Sequence, residues 1–315
     1  MKAVVQDRYG TPDILRVEEL PLPQPRSGQV RVKVVATSVN LSDWENLRGR
    51  PAYARIGGLR RPKHPTPGSD IAGWVDAIGE GVTRFRIGDA VYGDNLFLKG
   101  GFAEYAVAVE TALTHKPTDL DFVAASAIPQ SGAIALQGTH GAAPGTRVLI
   151  NGGGGGSGVF AIQLAKRAGA HVTGVDTAAK LDFMRSLGAD EAIDYRQDDF
   201  TRQRYDLILD MVAHRSVFAY RRALNRGGRY RCVGGTVPTL LRVLTAGAVV
   251  GAVTGRRLGM LAVKEGPAHF SPVADLCLAG EIDTRVDRTY SLEETAAALG
   301  CVGAGQALGK VVVTP

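Results

Sequence analysis

The stretch INGGGGGSGVFAIQLAK, from Ile150 to Lys166, decides how the chain folds, because every residue from Gly152 to Gly158 is glycine except Ser157. Glycine loses more conformational freedom on folding than any other residue, so such a run needs a physical reason. It lies between a strand-like segment, RVLI, and an apolar helix-like segment, VFAIQLAKRAG. A strand, a glycine-rich turn and a helix in that order predict a turn whose backbone a ligand approaches closely.

Within the run, Gly153, Gly155 and Gly158 satisfy the pattern G-x-G-x-x-G, and Gly156 and Ser157 lie inside the same turn. In a dinucleotide-binding fold these glycines permit a sharp turn, close approach of a pyrophosphate and tight packing of helix on strand. The start of the helix adds free N–H groups and a partial positive charge. The pattern alone is weak in so glycine-rich a run, and the alternative is a flexible loop.

The next strand, HVTGVD, ends in Asp176, which lies 18 positions after Gly158. A carboxylate there accepts hydrogen bonds from ribose hydroxyls and repels a 2′-phosphate, which favours NADH. Lys180 can pair with that phosphate if Asp176 turns away, so NADPH stays open. Asp176 also suits the N-cap of the following helix.

Strands and helices alternate from Arg147 to Cys232, which predicts a doubly wound parallel sheet with helices on both faces. The first third of the chain instead shows short Val-rich strands separated by Gly and Asp, a pattern typical of a small β-barrel. The fold class is therefore α/β with a β-rich first domain.

The 315 residues suggest about two domains. The net charge is +6, but the basic residues are scattered and no recognition motif accompanies them, so we do not expect nucleic-acid binding. The three cysteines, Cys232, Cys277 and Cys301, form no C-x-x-C pair. They predict reduced thiols in a cytoplasmic protein.

The segment from Thr236 to Leu261 is apolar over about the length of a membrane-spanning helix. Pro238, Arg242 and several glycines interrupt it, and Arg256 and Arg257 lie near its end. We expect a buried or interface-forming pair of short helices there, and no membrane contact.

Six segments in order give the chain a resemblance to the zinc-free, quinone-oxidoreductase-like branch of the medium-chain dehydrogenase/reductases. They are SVNLSDWENLRGRP, GSDIAGWVDAIGEGVTRFRIGDAVYG, GGFAEYAV, RVLINGGGGGSGVFAIQLAKRAGAHVTGV, RSLGADEAIDYRQDDF and ALGKVVVTP. The resemblance implies a GroES-like catalytic domain (1–118 and 289–315) to which the C-terminal strand returns. It also implies a Rossmann domain (119–288), an NAD(P)H cofactor and substrate in the cleft between them, and a homodimer.

Zinc-dependent relatives need Cys, His or acidic ligands for the catalytic metal. The positions that resemble those ligand sites read NLSD (Asn40 to Asp43) and GSD (Gly68 to Asp70), without Cys or His. The segment GDNLFLKGG also lacks the closely spaced cysteines of a structural zinc site. We therefore expect no zinc.

Without a metal, hydride transfer to a quinone or an α,β-unsaturated carbonyl is easier than oxidation of an alcohol. The resemblance places Asn40 beside the nicotinamide and Ser42 at the position of a proton-relaying hydroxyl, and Tyr53 is a further donor candidate. Each has a structural alternative: a turn-stabilising Asn, a helix N-cap and a packed Tyr.

Val212 and Ala213 follow the strand YDLILD, where the chain is expected to pass the nicotinamide, and Gly234 ends the next strand. Tyr195 is a candidate contact on the adenosine side, with a surface loop as the alternative. Two other functions stay open: an alcohol dehydrogenase-type activity, and a non-catalytic dinucleotide-binding regulatory or membrane-peripheral protein.

Overall fold

The computed structural model describes residues 1–56 and 58–315. They form two compact units, each built from more than one part of the chain. The first unit comprises Met1–Ala133, Glu265–Gly280 and Thr284–Pro315; the second comprises Ile134–Lys264 and Glu281–Asp283.

The first unit is mainly β, as the sequence predicts. Its strands are β1 (Lys2–Val5), β2 (Arg16–Glu19), β3 (Gln29–Val39), β4 (Asp70–Ile78), β5 (Ala90–Asp94), β6 (Tyr105–Val109), β7 (Leu113–His115), β14 (Val286–Ser291) and β15 (Lys310–Thr314). Strands β1 and β2 pair antiparallel, and the others form one sheet in the order β14-β15-β3-β4-β5-β7, with β6 also on β3. Alternate residues of β3, among them Val30 and Val32, point into a core with Ile71 and Val91.

The C-terminal strand β15 pairs antiparallel with β3, with Val311 opposite Val39 and Val313 opposite Thr37. This confirms the expectation that the end of the chain returns to the β-rich unit. Its side chains join a second core cluster with Leu47 and Leu299.

The second unit has a six-stranded sheet whose strand pairs are all parallel, which confirms the doubly wound α/β prediction. Its strands are β8 (Arg147–Asn151), β9 (His171–Asp176), β10 (Glu191–Asp194), β11 (Tyr205–Asp210), β12 (Leu224–Cys232) and β13 (Arg257–Met260), in the order β10-β9-β8-β11-β12-β13. Because the strands are parallel, their carboxyl ends lie at one edge.

The helices of the first unit are α1 (Leu41–Arg48), α2 (Phe122–Ala127), α9 (Ser271–Leu278) and α10 (Thr295–Gly303). Those of the second are α4 (Gly156–Arg167), α5 (Leu181–Ser186), α6 (Val217–Ala223), α7 (Val237–Arg242) and α8 (Ala248–Thr254), while α3 (Pro129–Gly138) has residues in both. Short 3₁₀ turns lie at Pro12–Ile14, Ala52–Arg55, Glu110–Ala112, Ala178–Lys180, Phe200–Arg202, Pro267–His269 and Leu292–Glu294.

The apolar segment after β12 is one helical run, since a π-turn (Val243–Gly247) joins α7 to α8. In the part of the chain that the structure describes, Val237–Thr254 is the one helix long and apolar enough to span a membrane. Only 22% of it is buried, so the expectation of a buried pair is wrong, whereas the alternative of an interface-forming pair stays a prediction. Its burial is limited because one side alone packs on the unit.

The bounds of the compact units differ from the domain bounds that the sequence suggested. The first unit extends past residue 118 through Ala133, and it also takes up Glu265–Gly280. In that segment the ring of Phe270 packs edge-on against Tyr92, with 5.2 Å between ring centroids. This packing ties α9 to the β-rich unit.

Candidate functional site

The glycine run forms a tight turn between β8 and α4. Gly152 has a φ of +90°, which favours glycine, and Gly155 is the extended residue before the helix. A Cβ atom at Gly158 would lie 2.4 Å from the carbonyl oxygens of both Gly152 and Gly153. Gly152 and Gly158 are therefore two positions where the backbone of the turn requires glycine, and Gly152 lies outside the predicted G-x-G-x-x-G set.

The residues at the start of α4 fit a dinucleotide. A Cβ atom at Gly155 would lie 3.5 Å from the carbonyl oxygen of Gly152, an ordinary van der Waals distance, so the space beside it is open. The first N–H groups of a helix have no partner within the helix, and here they come from Gly156, Ser157 and Gly158. A turn without bulky side chains that presents these groups suits a pyrophosphate.

Asp176 and Lys180 lie against this turn. Oδ2 of Asp176 accepts a hydrogen bond of 3.1 Å from the N–H of Gly154, and its Oδ1 accepts one of 2.9 Å from Thr177. Nζ of Lys180 lies 3.8 Å from Asp176 Oδ2 and 3.5 Å from the carbonyl oxygen of Gly154. The carboxylate and the ammonium thus lie together at the end of β9, beside the glycine turn.

Tyr195 follows the neighbouring strand β10. Its N–H donates to the carbonyl oxygen of Asp176 at 3.2 Å, while its side chain is 41% exposed beneath the guanidinium of Arg196. The backbone of Tyr195 is thus bonded to Asp176 and its ring is accessible, and its contact with the adenosine side stays a prediction.

Asp210, which the sequence analysis did not select, organises the loop that holds Val212 and Ala213. Its Oδ1 accepts hydrogen bonds from Asn151 Nδ2 at 2.7 Å and from the N–H groups of Val212 and Ala213 at 3.0 and 2.8 Å. Its Oδ2 accepts one from the Tyr230 hydroxyl at 2.9 Å. Burial and the Asp210 charge raise the pKa of Tyr230, so this phenol stays a donor.

Gly234 and Gly235 continue the same edge after β12, both with positive φ. A Cβ atom at Gly235 would lie 3.3 Å from Cβ of Ala213, so the two loops touch. The predicted cofactor residues of the second unit therefore all lie at the carboxyl ends of parallel strands. In the sequence, Asp210 could have been identified as the acidic residue at the end of the apolar strand YDLILD.

In the first unit, the predicted residue Asn40 belongs to a buried polar network centred on Lys310, a residue that the sequence analysis missed. Lys310 Nζ donates to Asn40 Oδ1 at 2.7 Å and to Ser131 Oγ at 3.0 Å, and it lies 3.9 Å from Asp70 Oδ2. Asn40 Nδ2 in turn donates to Asp70 Oδ2 at 2.8 Å. In the sequence, Lys310 could have been identified as the single charged residue at the start of the apolar strand KVVV.

Asn40 is also the N-cap of α1, with its N–H bonded to Asp43 Oδ2 at 2.9 Å. The alternative that Ser42 caps this helix is wrong, because the helix already begins at Leu41. Ser42 Oγ instead donates to Gln130 Oε1 at 2.8 Å. Asn40 and Ser42 thus both contact the start of α3, which carries Gln130 and Ser131.

Burial sets the protonation behaviour of this network. Burial raises the pKa values of Asp43, Asp70 and Asp94. The positive charge of Lys310 acts in the opposite direction on Asp43 and Asp70. Burial also lowers the pKa of Lys310, and these carboxylates oppose that change. Three carboxyl groups therefore share the field of one buried ammonium.

Tyr53 contacts α1 at Glu45, three positions after Ser42, where its hydroxyl donates to Glu45 Oε1 and Oε2 at 3.1 and 3.2 Å. Burial raises the pKa of Glu45 to about 6. The structure therefore brings Asn40 and Ser42 to one polar cluster and holds Tyr53 at a separate carboxylate.

Among residues 1–56 and 58–315, no group of three or more His, Cys, Asp or Glu side chains is arranged to hold a metal ion. The positions that resemble zinc-ligand sites, Asn40 and Ser69 to Asp70, are hydrogen-bonded to one another and to Lys310.

Two family models match the chain. Residues 26–118 match the alcohol dehydrogenase GroES-like domain, and residues 187–313 match a model described as a zinc-binding dehydrogenase. The first match lies within the first unit, whereas the second begins in the second unit and includes the later segments of the first.

Several curated proteins are similar over most of their length. The chloroplastic quinone-oxidoreductase QR1 of Triphysaria versicolor is 32% identical, over 100% of this chain and 98% of the relative. The chloroplastic NADPH-dependent alkenal/one oxidoreductase of Arabidopsis thaliana is 31% identical, over 87% of this chain and 75% of the relative.

Solved structures agree with these relatives. A quinone oxidoreductase from Coxiella burnetii superposes with a TM-score of 0.90 at 28% identity, over 100% of this chain and 99% of the other. A mycobacterial protein complexed with NADPH gives a TM-score of 0.85 at 25% identity, with full coverage of both chains. The chain belongs to the medium-chain dehydrogenase/reductase family of oxidoreductases, in its quinone-oxidoreductase-like branch.

Proposed function

We propose that the chain is an NAD(P)H-dependent reductase of quinones or α,β-unsaturated carbonyl compounds that works without zinc. The observation that carries this proposal is the buried ammonium of Lys310, bonded to Asn40 and Ser131 and close to Asp70. A cation already neutralises the oxygen atoms at the position that resembles a zinc site.

Zinc in proteins is held by thiolate, imidazole and carboxylate ligands. At the corresponding positions this chain offers the Asn40 amide, the Ser69 hydroxyl and the Asp70 carboxyl group. Asp70 is fully buried and already accepts hydrogen bonds from Asn40 and Ser38. A divalent ion there would lie against the Lys310 ammonium, which argues for metal-free chemistry.

When bound, a reduced nicotinamide supplies a hydride. An electrophilic carbon of a quinone or enone accepts it without a Lewis acid, provided that donors stabilise the oxygen on which negative charge develops. Ser42 and Tyr53 are the hydroxyl groups proposed for that role, which each would take by turning its O–H away from Gln130 or Glu45. The Asn40 amide is engaged by Lys310 and Asp70, so we assign Asn40 to positioning the start of α1 rather than to donation.

The relatives support this class of reaction, since their names describe quinone and alkenal/one oxidoreductases. We further propose a homodimer, as the family resemblance implies. We also propose a cytoplasmic location, for which the support is three cysteines without a disulfide.

We propose a preference for NADH within the NAD(P)H class. Asp176 Oδ1 and Oδ2 each accept one backbone hydrogen bond and keep a lone pair for ribose hydroxyls. Fluorescence titration with NADH and NADPH tests this. Replacement Asp176→Ser is expected to shift the ratio of the two dissociation constants toward NADPH by about tenfold, or about 1.4 kcal/mol. A wild-type protein that binds NADPH more tightly would contradict the preference and assign Lys180 to the 2′-phosphate.

The reaction itself is tested by measuring NAD(P)H oxidation with a quinone or an enone. The reverse direction is tested by measuring reduction of the oxidised cofactor with a primary alcohol. Each assay is run with and without a metal chelator. We expect turnover of the quinone or enone that chelation does not change. Ser42→Ala is expected to lower kcat by about 100-fold. The matched control is the exposed Ser27→Ala, which is expected to keep wild-type kcat. Alcohol oxidation that the chelator abolishes would overturn the proposal.

A further inference from the structure

The hydroxyl groups of Ser42 and Tyr53, which we propose as donors to the substrate oxygen, are held by partners of different chemistry. Ser42 Oγ donates to Gln130 Oε1 at 2.8 Å, and an amide keeps the same acceptor atom across the ordinary pH range. The Tyr53 hydroxyl donates to Glu45 Oε1 and Oε2 at 3.1 and 3.2 Å. A carboxyl group becomes a donor when it is protonated, so a proton on Glu45 can change the direction of the Tyr53 hydroxyl.

Two neighbouring elements of the first unit build this pair. Glu45 lies in the middle of α1, and Tyr53 lies on the 3₁₀ turn Ala52–Arg55, which packs against that helix. Both residues are half-buried. The carboxyl group is therefore partly removed from water but still able to exchange its proton with solvent.

Burial raises the pKa of Glu45 to about 6, and the hydrogen bond from Tyr53 acts in the opposite direction. Glu45 therefore gains and loses its proton within the pH range in which enzymes are commonly assayed. An ionised carboxylate accepts hydrogen bonds only, whereas the protonated group has one O–H to donate.

Other charged or titratable groups around Glu45 have partners of their own. Asp43 on α1 accepts a hydrogen bond from Asn40, and Arg48 lies over the Trp44 ring. From the 3₁₀ turn, Arg55 donates to the carbonyl oxygen of Gly49 and lies over the ring of Tyr9. The helix α10, which also packs against α1, carries Cys301 in the core. Among the described residues, burial and the Tyr53 hydrogen bond set the pKa of Glu45.

We propose that Glu45 is a positioning residue that sets the direction of the Tyr53 hydroxyl. Ionised Glu45 holds the Tyr53 O–H on its own oxygens. Protonated Glu45 donates to the Tyr53 oxygen and leaves the phenol O–H to turn to the quinone or enone oxygen on which negative charge develops. This inference rests on the proposed function, and it makes the reductase less active as the pH rises and Glu45 loses its proton.

The kinetic test is the pH profile of kcat/KM for reduction of cyclohexenone and naphthoquinone with NAD(P)H. Between about pH 5 and about pH 8 the protonated fraction of Glu45 falls by roughly 90-fold, so the wild type is expected to lose at least tenfold in kcat/KM. Glu45→Gln has an amide that can donate to the Tyr53 oxygen at every pH. It is expected to give a flat profile and to exceed the wild type about tenfold at the alkaline end.

Two further variants complete the kinetic test. Tyr53→Phe keeps the ring without the hydroxyl, and it is expected to be flat at the low level of the alkaline wild type. The matched control Glu80→Gln removes an exposed carboxylate of the first unit and is expected to keep the wild-type profile. Thermal melting at each pH checks that every variant is folded.

A second measurement needs neither substrate nor cofactor. Nuclear magnetic resonance of protein with isotope-labelled tyrosine follows the phenol carbon of Tyr53, whose signal is assigned by its loss in Tyr53→Phe. We expect this signal to move with a midpoint near the Glu45 pKa of about 6, and to be independent of pH in Glu45→Gln.

A Tyr53 signal that does not move with pH in the wild type would overturn the inference. A turnover profile of Glu45→Gln that follows the wild type would overturn it as well. If the signal moves as expected but the wild type reduces neither acceptor at any pH, the positioning role of Glu45 is supported and the proposed function fails.

Discussion

At the residue scale, Lys310 is a charge held almost entirely out of water, with 1% of its surface exposed. Its ammonium is close to the fully buried Asp70, and removal of one member of a buried ion pair leaves the other uncompensated. Lys310→Met is therefore expected to lower the free energy of unfolding by about 3–5 kcal/mol. Urea unfolding at neutral pH measures this.

The matched control for Lys310→Met is the double variant Lys310→Met/Asp70→Asn, which removes both charges. It is expected to recover part of the loss. If the single and double variants are equally destabilised, Lys310 does not stabilise the fold through its ion pair with Asp70.

Glu45 gives a second prediction at this scale, since burial raises its pKa from 4.5 to about 6. A raised folded-state pKa stabilises the fold at low pH, and that contribution is lost as the pH rises from 4.5 through 6. Glu45→Gln keeps an acceptor for Tyr53 without the charge. Below pH 4.5 the variant is expected to have the same stability as the wild type. Above pH 6 it is expected to be more stable by about 1 kcal/mol after allowance for solvent screening.

Urea unfolding of both proteins across this pH range measures the difference. A stability difference that does not change with pH would show that ionisation of Glu45 does not set it.

At the element scale, two glycines of the turn between β8 and α4 have different roles: one is needed for folding and the other for binding the ligand. A Cβ atom at Gly158 would overlap two carbonyl oxygens, whereas one at Gly155 would only make an ordinary van der Waals contact at 3.5 Å with the Gly152 carbonyl oxygen. Gly158→Ala is expected to destabilise the chain by about 3 kcal/mol. Gly155→Ala is expected to keep the stability but weaken NADH binding at least tenfold.

Thermal melting and fluorescence titration of both variants give the comparison. Equal stability of the two variants would contradict the role assigned to Gly158, and unchanged NADH binding by Gly155→Ala would contradict the role of the open space.

The elements themselves were largely predictable, because periodicity along the chain reports local structure. The alternation of QVRVKVVATSV predicts β3, and the sequence around Gly155 predicts a strand, a turn and a helix. The partners of Asn40 were not predictable in this way, since Lys310 lies 270 positions away. Only the pairing of β15 with β3 brings them together.

At the scale of the whole molecule, the predicted cofactor residues lie in one compact unit, from Gly153 to Gly234. A ligand that binds only the folded chain stabilises it by about 2.7 kcal/mol at 100 times its dissociation constant. Saturating NADH is therefore expected to raise the melting temperature by roughly 10 °C at this stabilisation, for a unit of about 135 residues. Calorimetry with and without NADH measures the shift, and adenosine monophosphate at the same concentration is the control. No shift with NADH would contradict cofactor binding at this edge.

The order of segments along the chain has a consequence for synthesis in the cell. The ribosome adds Lys310 to the growing chain 240 residues after Asp70, counted as 310 minus 70. Until then the first unit lacks both its strand β15 and the cation that accompanies its buried carboxyl groups. Among the described residues the second unit ends at Asp283, so its sheet can form before β15 is synthesised, whereas the unit that begins the chain must wait for that strand.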